Sequence, residues 1–427
     1  MIITLDKYSK VFFKYYQMNI KSSIVPAIII LSLISFLAFL IYIYSEKTET
    51  STVSKLGKKP AITIDTALNR LIDLQINTNL QKYSCPGVAV LVLKNNEVIF
   101  EKQYGTKSLL TNAPIDKETV FRLGSVSKGF AGILAAILID KKMLNLDDPI
   151  AMYIPELTLK AKTPDKVLRV KHILTHTSGL TEHAFSNLVD ENRDMPTIIK
   201  YLNGISPRDS TGKAYAYQNA AFGLIERVVE KATNMSYQNA LDYYIFSPLE
   251  MCGSSCTFDA ITSTTNYSSG HKYNGNKYGF KAVELSPHYY NVPSAGGVNA
   301  SIVDMKKWLG AVMGYYPYVI SPTALTLAFT PYISTSDDDK YFNKWPETIS
   351  SSYGLGWRII KTQNNNLIYH GGLVNGFRTE IAFDKEKNVG IVLLFNSTCA
   401  YSNLAVPYFF QLLEDYRLKC DLGYIGS

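Results

Sequence analysis

The stretch RLGSVSKGFAGILAAILI, residues 122–139, places a serine and a lysine at the start of a long apolar run. The run predicts a buried helix over residues 125–141. Lys128 follows Ser125 by three positions, so the two side chains lie on the same face of such a helix. Because lysine is seldom fully buried unless it is paired, this pair is the first candidate for chemistry.

The spacing S-x-x-K has a catalytic and a structural interpretation. Burial lowers the pKa of a lysine, and a neutral lysine can take the proton of a nearby hydroxyl. The helix N-terminus would also stabilise a developing oxyanion. The alternative, which the motif alone favours, is a serine N-cap with a surface-directed lysine. The spacing occurs at Ser125–Lys128, Ser210–Lys213 and Ser269–Lys272, and only the first pair opens an apolar helix.

The composition is that of a globular protein without a nucleic-acid footprint. Of the 427 residues, 47% are hydrophobic and 19% are charged, which suffices for a large core. The net charge of +7 is spread along the chain, with no block of basic residues. We therefore expect no nucleic-acid partner.

The N-terminal region contains a candidate membrane anchor. Residues 24–44 form an uncharged apolar stretch long enough to span a bilayer, and no small-residue cleavage site follows it. This predicts an uncleaved signal anchor, although late cleavage is an alternative. Residues 1–23 would then be a cytoplasmic tail and 45–62 a linker. Lysines are nearly balanced on the two sides, so they do not set the orientation.

Apolar patterning predicts an α+β fold for residues 63–427. Strands come early, in a hairpin with a turn at Asn95–Asn96, and return after residue 353, while helices dominate between them. We expect an antiparallel sheet built from residues 63–124 and 291–427 and flanked by helices, with a mostly helical lobe at 125–290.

Neither the histidines nor the cysteines predict a metal site, and no cofactor is expected. His172 and His176 have helical i, i+4 spacing but no acidic partner, so a structural role is favoured. Cys252 and Cys256 flank a Gly-Ser turn in a chain with five cysteines. A local disulfide and two unpaired thiols are both open for this pair.

Two later triplets complete an ordered signature. Tyr217-Gln218-Asn219 and His370-Gly371-Gly372 follow the S-x-x-K pair, in predicted loop and strand contexts. This order is the signature of penicillin-recognising serine hydrolases. The chain resembles the class C β-lactamase family, which also contains DD-peptidases and esterases. The resemblance covers about residues 65–400 and includes the blocks VKHILTHTSGL, SAGGVNASIVDMKKWL and YGLGW.

The resemblance implies a role for each matching residue. Ser125 would be the acyl-accepting nucleophile, activated by Lys128 together with Tyr217. Tyr217 would also relay a proton to the leaving group and later help to activate water. Asn219 would bind the acyl group's amide and hold Lys128. The backbone N–H groups of Ser125 and Leu373 would form the oxyanion hole.

The sequence departs from the lactamases at His370, where they have lysine. Histidine is only partly charged near neutral pH, so it would anchor a substrate carboxylate less firmly. Gly371 and Gly372 would let a substrate approach the strand closely. Arg378 is near enough in sequence to supply the missing charge, so all four residues are expected to bind substrate.

These expectations describe a membrane-anchored serine acyl-hydrolase whose catalytic domain is periplasmic or otherwise extracytoplasmic. The substrate would be a small molecule or a peptide: a β-lactam, a D-Ala-D-Ala stem peptide, or a small ester or amide. The alternative from another class is a non-catalytic envelope-binding protein that retains the fold.

Overall fold

A computed structural model describes residues 66–159, 167–277, 279–335, 345 and 348–422. The predicted tail (1–23), membrane span (24–44) and linker (45–62) lie outside the described residues. Among the residues that are described, no helix combines the length and the apolar character needed to cross a membrane.

Eight of the described strands form one antiparallel sheet, in the order β2-β1-β12-β11-β10-β9-β8-β7. The sheet therefore joins the early hairpin to the late strands, which confirms the predicted antiparallel sheet. Small two-stranded pairs, β3–β6 and β4–β5, lie outside it. The strands are β1 Gly87–Lys94, β2 Glu97–Gly105, β3 Phe121–Arg122, β4 Gly270–Tyr273, β5 Phe280–Val283, β6 Asn299–Ala300, β7 Ile333–Ser334, β8 Thr348–Tyr353, β9 Arg358–Thr362, β10 Asn366–Val374, β11 Phe377–Asp384 and β12 Val389–Phe395.

The described helices fill the middle of the chain and cover the sheet. They are α1 Thr66–Lys82, α2 Ser127–Asp140, α3 Val170–Leu174, α4 Ser186–Asp190, α5 Met195–Leu202, α6 Asn219–Thr233, α7 Tyr237–Leu241, α8 Phe258–Ser263, α9 Pro293–Gly296, α10 Ile302–Val312, α11 Pro322–Phe329 and α12 Ala405–Asp421. The hairpin β4–β5 interrupts the helical region, and its strands of four residues each are too short for hydrophobic patterning to reveal.

The turn between β1 and β2 has the geometry that its sequence predicts. Asn95 and Asn96 have φ angles of 51° and 64°. Positive φ at both central residues defines a type I′ turn, whose twist matches that of paired strands, and asparagine tolerates this conformation well. The hairpin expected at this position is confirmed.

The two faces of the sheet pack against different helices. On β1, Val88 and Val90 belong to an apolar cluster with Ile72 of α1, whereas Leu91 belongs to a cluster with Phe130 of α2. Successive strand residues alternate between faces, so α1 and α12 cover one face while α2 and α10 cover the other. Burial on both faces explains the nearly unbroken apolar sequence of β1.

The cysteine pairing differs from the local disulfide that was considered from the sequence. Cys85, just before β1, is bonded to Cys399, just after β12, across a separation of 314 residues. Cys252, Cys256 and Cys420 are free thiols. Because β1 and β12 are neighbours in the sheet, folding rather than sequence proximity brings the bonded pair together.

Candidate active site

Ser125 lies in a 3₁₀ turn, Gly124–Val126, that leads directly into α2; we call this the serine turn. The helix itself begins at Ser127, two residues later than the pattern predicts. The Ser127 hydroxyl donates to the Gly124 carbonyl at 2.7 Å and accepts from the Val298 N–H at 2.9 Å. The serine turn is thereby tied to the chain beside β6, and Ser125 remains partly exposed.

Lys128 is completely buried, and its amine faces three oxygen atoms. Nζ lies 2.7 Å from Asn219 Oδ1, 2.8 Å from the Ala295 carbonyl oxygen and 3.4 Å from Ser125 Oγ. Burial, and then the charge of Arg358, lower the pKa of Lys128 well below its usual 10.5. A neutral amine has two N–H donors and one lone pair. The two carbonyl oxygens can only accept, so the lone pair is left for the Ser125 hydroxyl.

Asn219 is held in the orientation that Lys128 requires. Its Nδ2 donates to the hydroxyl of Tyr289 at 3.0 Å, which leaves Oδ1 directed at the lysine. Asn219 is buried at the first position of α6. The expected contact between Asn219 and Lys128 is therefore present in the structure.

The ring of Tyr217 lies beside the Lys128 amine. The ring centroid lies 4.8 Å from Lys128 Nζ, and the residue remains partly exposed. The ring of His176 packs against it, with centroids 4.3 Å apart, while His176 Nδ1 accepts from the Gln218 N–H at 3.2 Å. Burial depresses the pKa of His176 well below 6.5. A neutral His176 ring thus packs against the Tyr217 ring. Sequence patterning did not reveal this contact.

His172 and His176 do not converge on a shared ligand. His172 Nδ1 accepts from the Arg169 N–H at 3.1 Å, whereas His176 Nδ1 is engaged by Gln218. Within the ranges that the structure describes, no group of three His, Cys, Asp or Glu side chains is placed to hold a metal ion.

Strand β10 packs directly on the serine turn. A Cβ atom at Gly372 would lie 1.9 Å from the Leu123 carbonyl oxygen and 3.0 Å from the Ser125 nitrogen. Gly124 has a φ of 54°, and a Cβ there would lie 2.7 Å from the Leu373 nitrogen. The backbone nitrogens of Ser125 and Leu373 therefore both lie at this contact, which only glycines permit.

His370 is buried and bonded at both ring nitrogens, an environment unlike that of the partly charged anchor expected from the sequence. Nδ1 lies 2.9 Å from the Gly371 carbonyl oxygen, which can only accept, so Nδ1 carries the hydrogen. Nε2 then accepts from the Tyr353 hydroxyl at 3.0 Å. Burial, and then the charge of Arg358, lower the pKa of His370 well below 6.5. These surroundings favour the neutral form of the ring.

The Arg378 side chain lies on the opposite face of the sheet from Gly372, contrary to its expected contact with substrate. In the β10–β11 register, Arg378 is opposite Leu373 and Glu380 is opposite Gly371. The Arg378 guanidinium is ion-paired with the buried Glu380 carboxylate and lies near the Tyr369 hydroxyl. Tyr369 belongs to the cluster covered by α1 and α12, so this charge cannot replace a cation beside Ser125.

Comparison with known proteins identifies the family. The family model described as Beta-lactamase matches residues 70–404. The chain belongs to the beta-lactamase family. Most of the chain, including Ser125, Lys128, Tyr217 and Asn219, falls within this match. The family confirms the resemblance that was inferred from the three ordered motifs.

The relatives of this beta-lactamase family member are distant. Protein flp of Staphylococcus aureus strain MW2 is 24% identical over 77% of the chain and 63% of its own length. The unguisins hydrolase ungD' of Aspergillus campestris is 24% identical over 78% of the chain and 63% of its own length. The structure of the octameric penicillin-binding protein homologue from Pyrococcus abyssi superposes with a TM-score of 0.71, at 21% identity, over 81% of this chain and 77% of that one. The chain thus spans less than two thirds of these two curated relatives.

Two residues of the site could not be assigned a role from the sequence. Ala295 and His176 lie inside blocks quoted above for their resemblance to the family, yet neither residue type suggests its contact. A cavity of about 510 Å³ lies beside Cys85 and Pro86, and none of the site residues line it.

Proposed function

We propose that this protein is a serine hydrolase that acts through an acyl-enzyme on Ser125. One observation carries the proposal: the buried Lys128 amine has carbonyl acceptors for both its N–H groups, with Ser125 Oγ in the remaining direction. An amine that is neutral and oriented in this way is a general base for the hydroxyl. A binding protein that merely retained the fold would have no need for this arrangement.

The reaction would proceed in two steps. Ser125 Oγ attacks the substrate carbonyl and its proton passes to Lys128 Nζ, while the N–H groups of Ser125 and Leu373 bind the oxyanion. The intermediate collapses to the acyl-enzyme, and the leaving group takes a proton relayed through Tyr217. A water molecule, activated by the same groups, then attacks the ester carbonyl and releases Ser125. Asn219 keeps Lys128 in place throughout.

The neutral state of His370 favours substrates without a carboxylate. Class C lactamases have a lysine here, and Arg378, which the sequence offered as a replacement charge, is paired with Glu380 on the far face. We therefore propose small esters or amides as the preferred substrates within the family. β-Lactams and D-Ala-D-Ala peptides, each with a carboxylate, would be acylated more slowly.

We also propose that residues 24–44 anchor the protein and that the catalytic domain is extracytoplasmic. The uncharged length of this segment supports an anchor. The disulfide between Cys85 and Cys399 supports an oxidising compartment, because such bonds are rare in the cytosol. Fractionation of cells, with thiol counting before and after reduction, tests both statements. A soluble protein or five reactive thiols would contradict them.

The decisive experiment compares the whole chain with its Ser125→Ala variant. Each is incubated with a fluorescent penicillin, nitrocefin, a D-Ala-D-Ala peptide and a nitrophenyl ester. We expect the wild type to hydrolyse the ester and to form a covalent adduct at Ser125, and the variant to do neither. Unchanged ligand binding by both proteins, with no turnover of any compound, would favour the non-catalytic alternative.

A further inference from the structure

One face of helix α6 carries two side chains that are linked to Lys128 by hydrogen bonds, one directly and one through a neighbouring segment. Asn219 and Glu226 are seven residues apart, close to two helical turns, so both side chains project from the same face. Asn219 bonds Lys128 directly. Glu226 is buried, although nothing in the mechanism above uses it.

Glu226 is bonded to the segment that supplies the second acceptor of Lys128. Its Oε1 accepts from the Ser294 N–H at 2.9 Å and from the Ser294 hydroxyl at 2.6 Å. Ser294 lies in the short helix α9, and the next residue, Ala295, presents its carbonyl oxygen to Lys128. The carboxyl group thus restrains the backbone one residue from the contact with the lysine.

The surroundings of Glu226 assign it a hydrogen-bonding role. Burial raises its pKa to about 8, and the bonds from Ser294 only partly oppose this effect. Glu230 and Arg227 face it from the same helix, and Tyr237 lies close enough to be influenced by it. No ion pair with Glu226 occurs among the residues that the structure describes. At neutral pH the group is therefore mainly a neutral acid whose oxygen accepts two bonds.

We propose that Glu226 is a positioning residue for the general base. Through Ser294 it holds the Ala295 carbonyl against Lys128, so that helix α6 controls both acceptors that orient the amine. The inference rests on the proposed function, since it assigns Glu226 to the same acylation step.

Three substitutions separate this role from simple packing. Glu226→Gln keeps an oxygen acceptor and resembles the neutral acid. Glu226→Leu has similar size but removes the acceptor. Glu230→Leu, one turn further along α6, is the matched control, because the side chain of Glu230 is partly exposed and pairs with Arg227.

Nitrophenyl ester hydrolysis is the first measurement. Loss of a buried hydrogen-bond acceptor should lower kcat of Glu226→Leu by about tenfold or more, with KM little changed. Glu226→Gln and Glu230→Leu should stay within about threefold of the wild type, because their loss in hydrogen bonding is small. A Glu226→Leu protein that unfolds cooperatively and keeps the wild-type kcat would overturn the proposal, as would a Gln variant as impaired as the Leu variant.

Competitive amine labelling of Lys128 against pH gives a second measurement that needs no turnover. Glu226→Leu should alter the labelling profile of Lys128, whereas Glu226→Gln and Glu230→Leu should preserve it. If the wild type fails to hydrolyse any substrate, the proposed function is wrong. The labelling profile of Lys128 then tests the positioning role of Glu226 by itself. Identical profiles in all four proteins would refute the positioning role. Should Glu226→Leu fail to fold, Ser294→Ala takes its place in both measurements, with the same expected result.

Discussion

Replacement of Asn219 by aspartate tests whether Lys128 acts as a neutral base. The two side chains have nearly the same shape, so Asn219→Asp keeps an oxygen 2.7 Å from Lys128 Nζ and adds a negative charge. It also replaces the Nδ2 donor by an acceptor, toward which the Tyr289 hydroxyl can turn its own hydrogen. A carboxylate at that position stabilises the ammonium form and raises the pKa of Lys128. The lone pair that faces Ser125 is then occupied by a proton at neutral pH.

The size of the effect follows from the distance. Two unit charges 2.7 Å apart interact by about 6 kcal/mol at an effective dielectric constant of about 20. This corresponds to roughly four units of pKa, since each unit is about 1.4 kcal/mol. We expect the acylation rate at pH 7 to fall on the order of 1000-fold, and then to rise about tenfold per pH unit as the lysine deprotonates.

The assay is the rate of nitrophenyl ester hydrolysis between pH 6 and 10. Asn219→Leu is the control, because it removes the acceptor without adding a charge. That variant should lose activity without the steep dependence on pH. An Asn219→Asp protein with the wild-type rate and pH profile would show that Lys128 does not act through its neutral form.

Three further predictions concern the strand, the disulfide and the buried acid. Gly372→Ala should lower the rate of ester hydrolysis about 100-fold or more, because its Cβ would overlap the Leu123 carbonyl oxygen and displace the oxyanion hole. A wild-type rate would exclude the close packing of β10 on the serine turn. Replacing Cys85 and Cys399 together by serine should lower the urea-unfolding free energy by up to about 5 kcal/mol, given their separation of 314 residues, and an unchanged midpoint would indicate that the bond is absent. Glu226 has a folded pKa of about 8, above its usual 4.5, so its contribution to stability is complete below pH 4.5 and is lost as the pH rises to 8. Glu226→Gln should abolish that loss, which amounts to about 5 kcal/mol, and parallel pH–stability curves for the two proteins would contradict the assignment.

Local patterns in the chain were sufficient for much of the fold. The hairpin at Asn95–Asn96 and the late strands follow from residue preferences that act over a few positions. The same holds for the pairing of Ser125 with Lys128, which depends only on the pitch of one turn. Three ordered motifs then indicated the family, because each motif occupies its own helix, loop or strand.

The limits of the sequence are clearest where two segments distant in the chain must meet. Cys85 pairs with Cys399, rather than Cys252 with Cys256, because β1 and β12 are neighbours in the sheet. Arg378 was close to the site in sequence, but the alternation of strand residues turned it to the other face. No local pattern specifies a strand order.

The amino-acid sequence by itself determined which groups could react: a serine and a lysine one turn apart, a tyrosine and an asparagine in order, and a glycine where β10 passes the serine turn. Only the tertiary structure decided their chemical state. The pKa of Lys128 is lowered because packing removes water from the amine and places the charge of Arg358 near it, while carbonyl oxygens from α6 and α9 orient the amine. The neutral form of His370 is favoured for a similar reason, since burial and the charge of Arg358 disfavour its protonation. The pKa of a side chain depends on everything packed around it, and that environment exists only after folding.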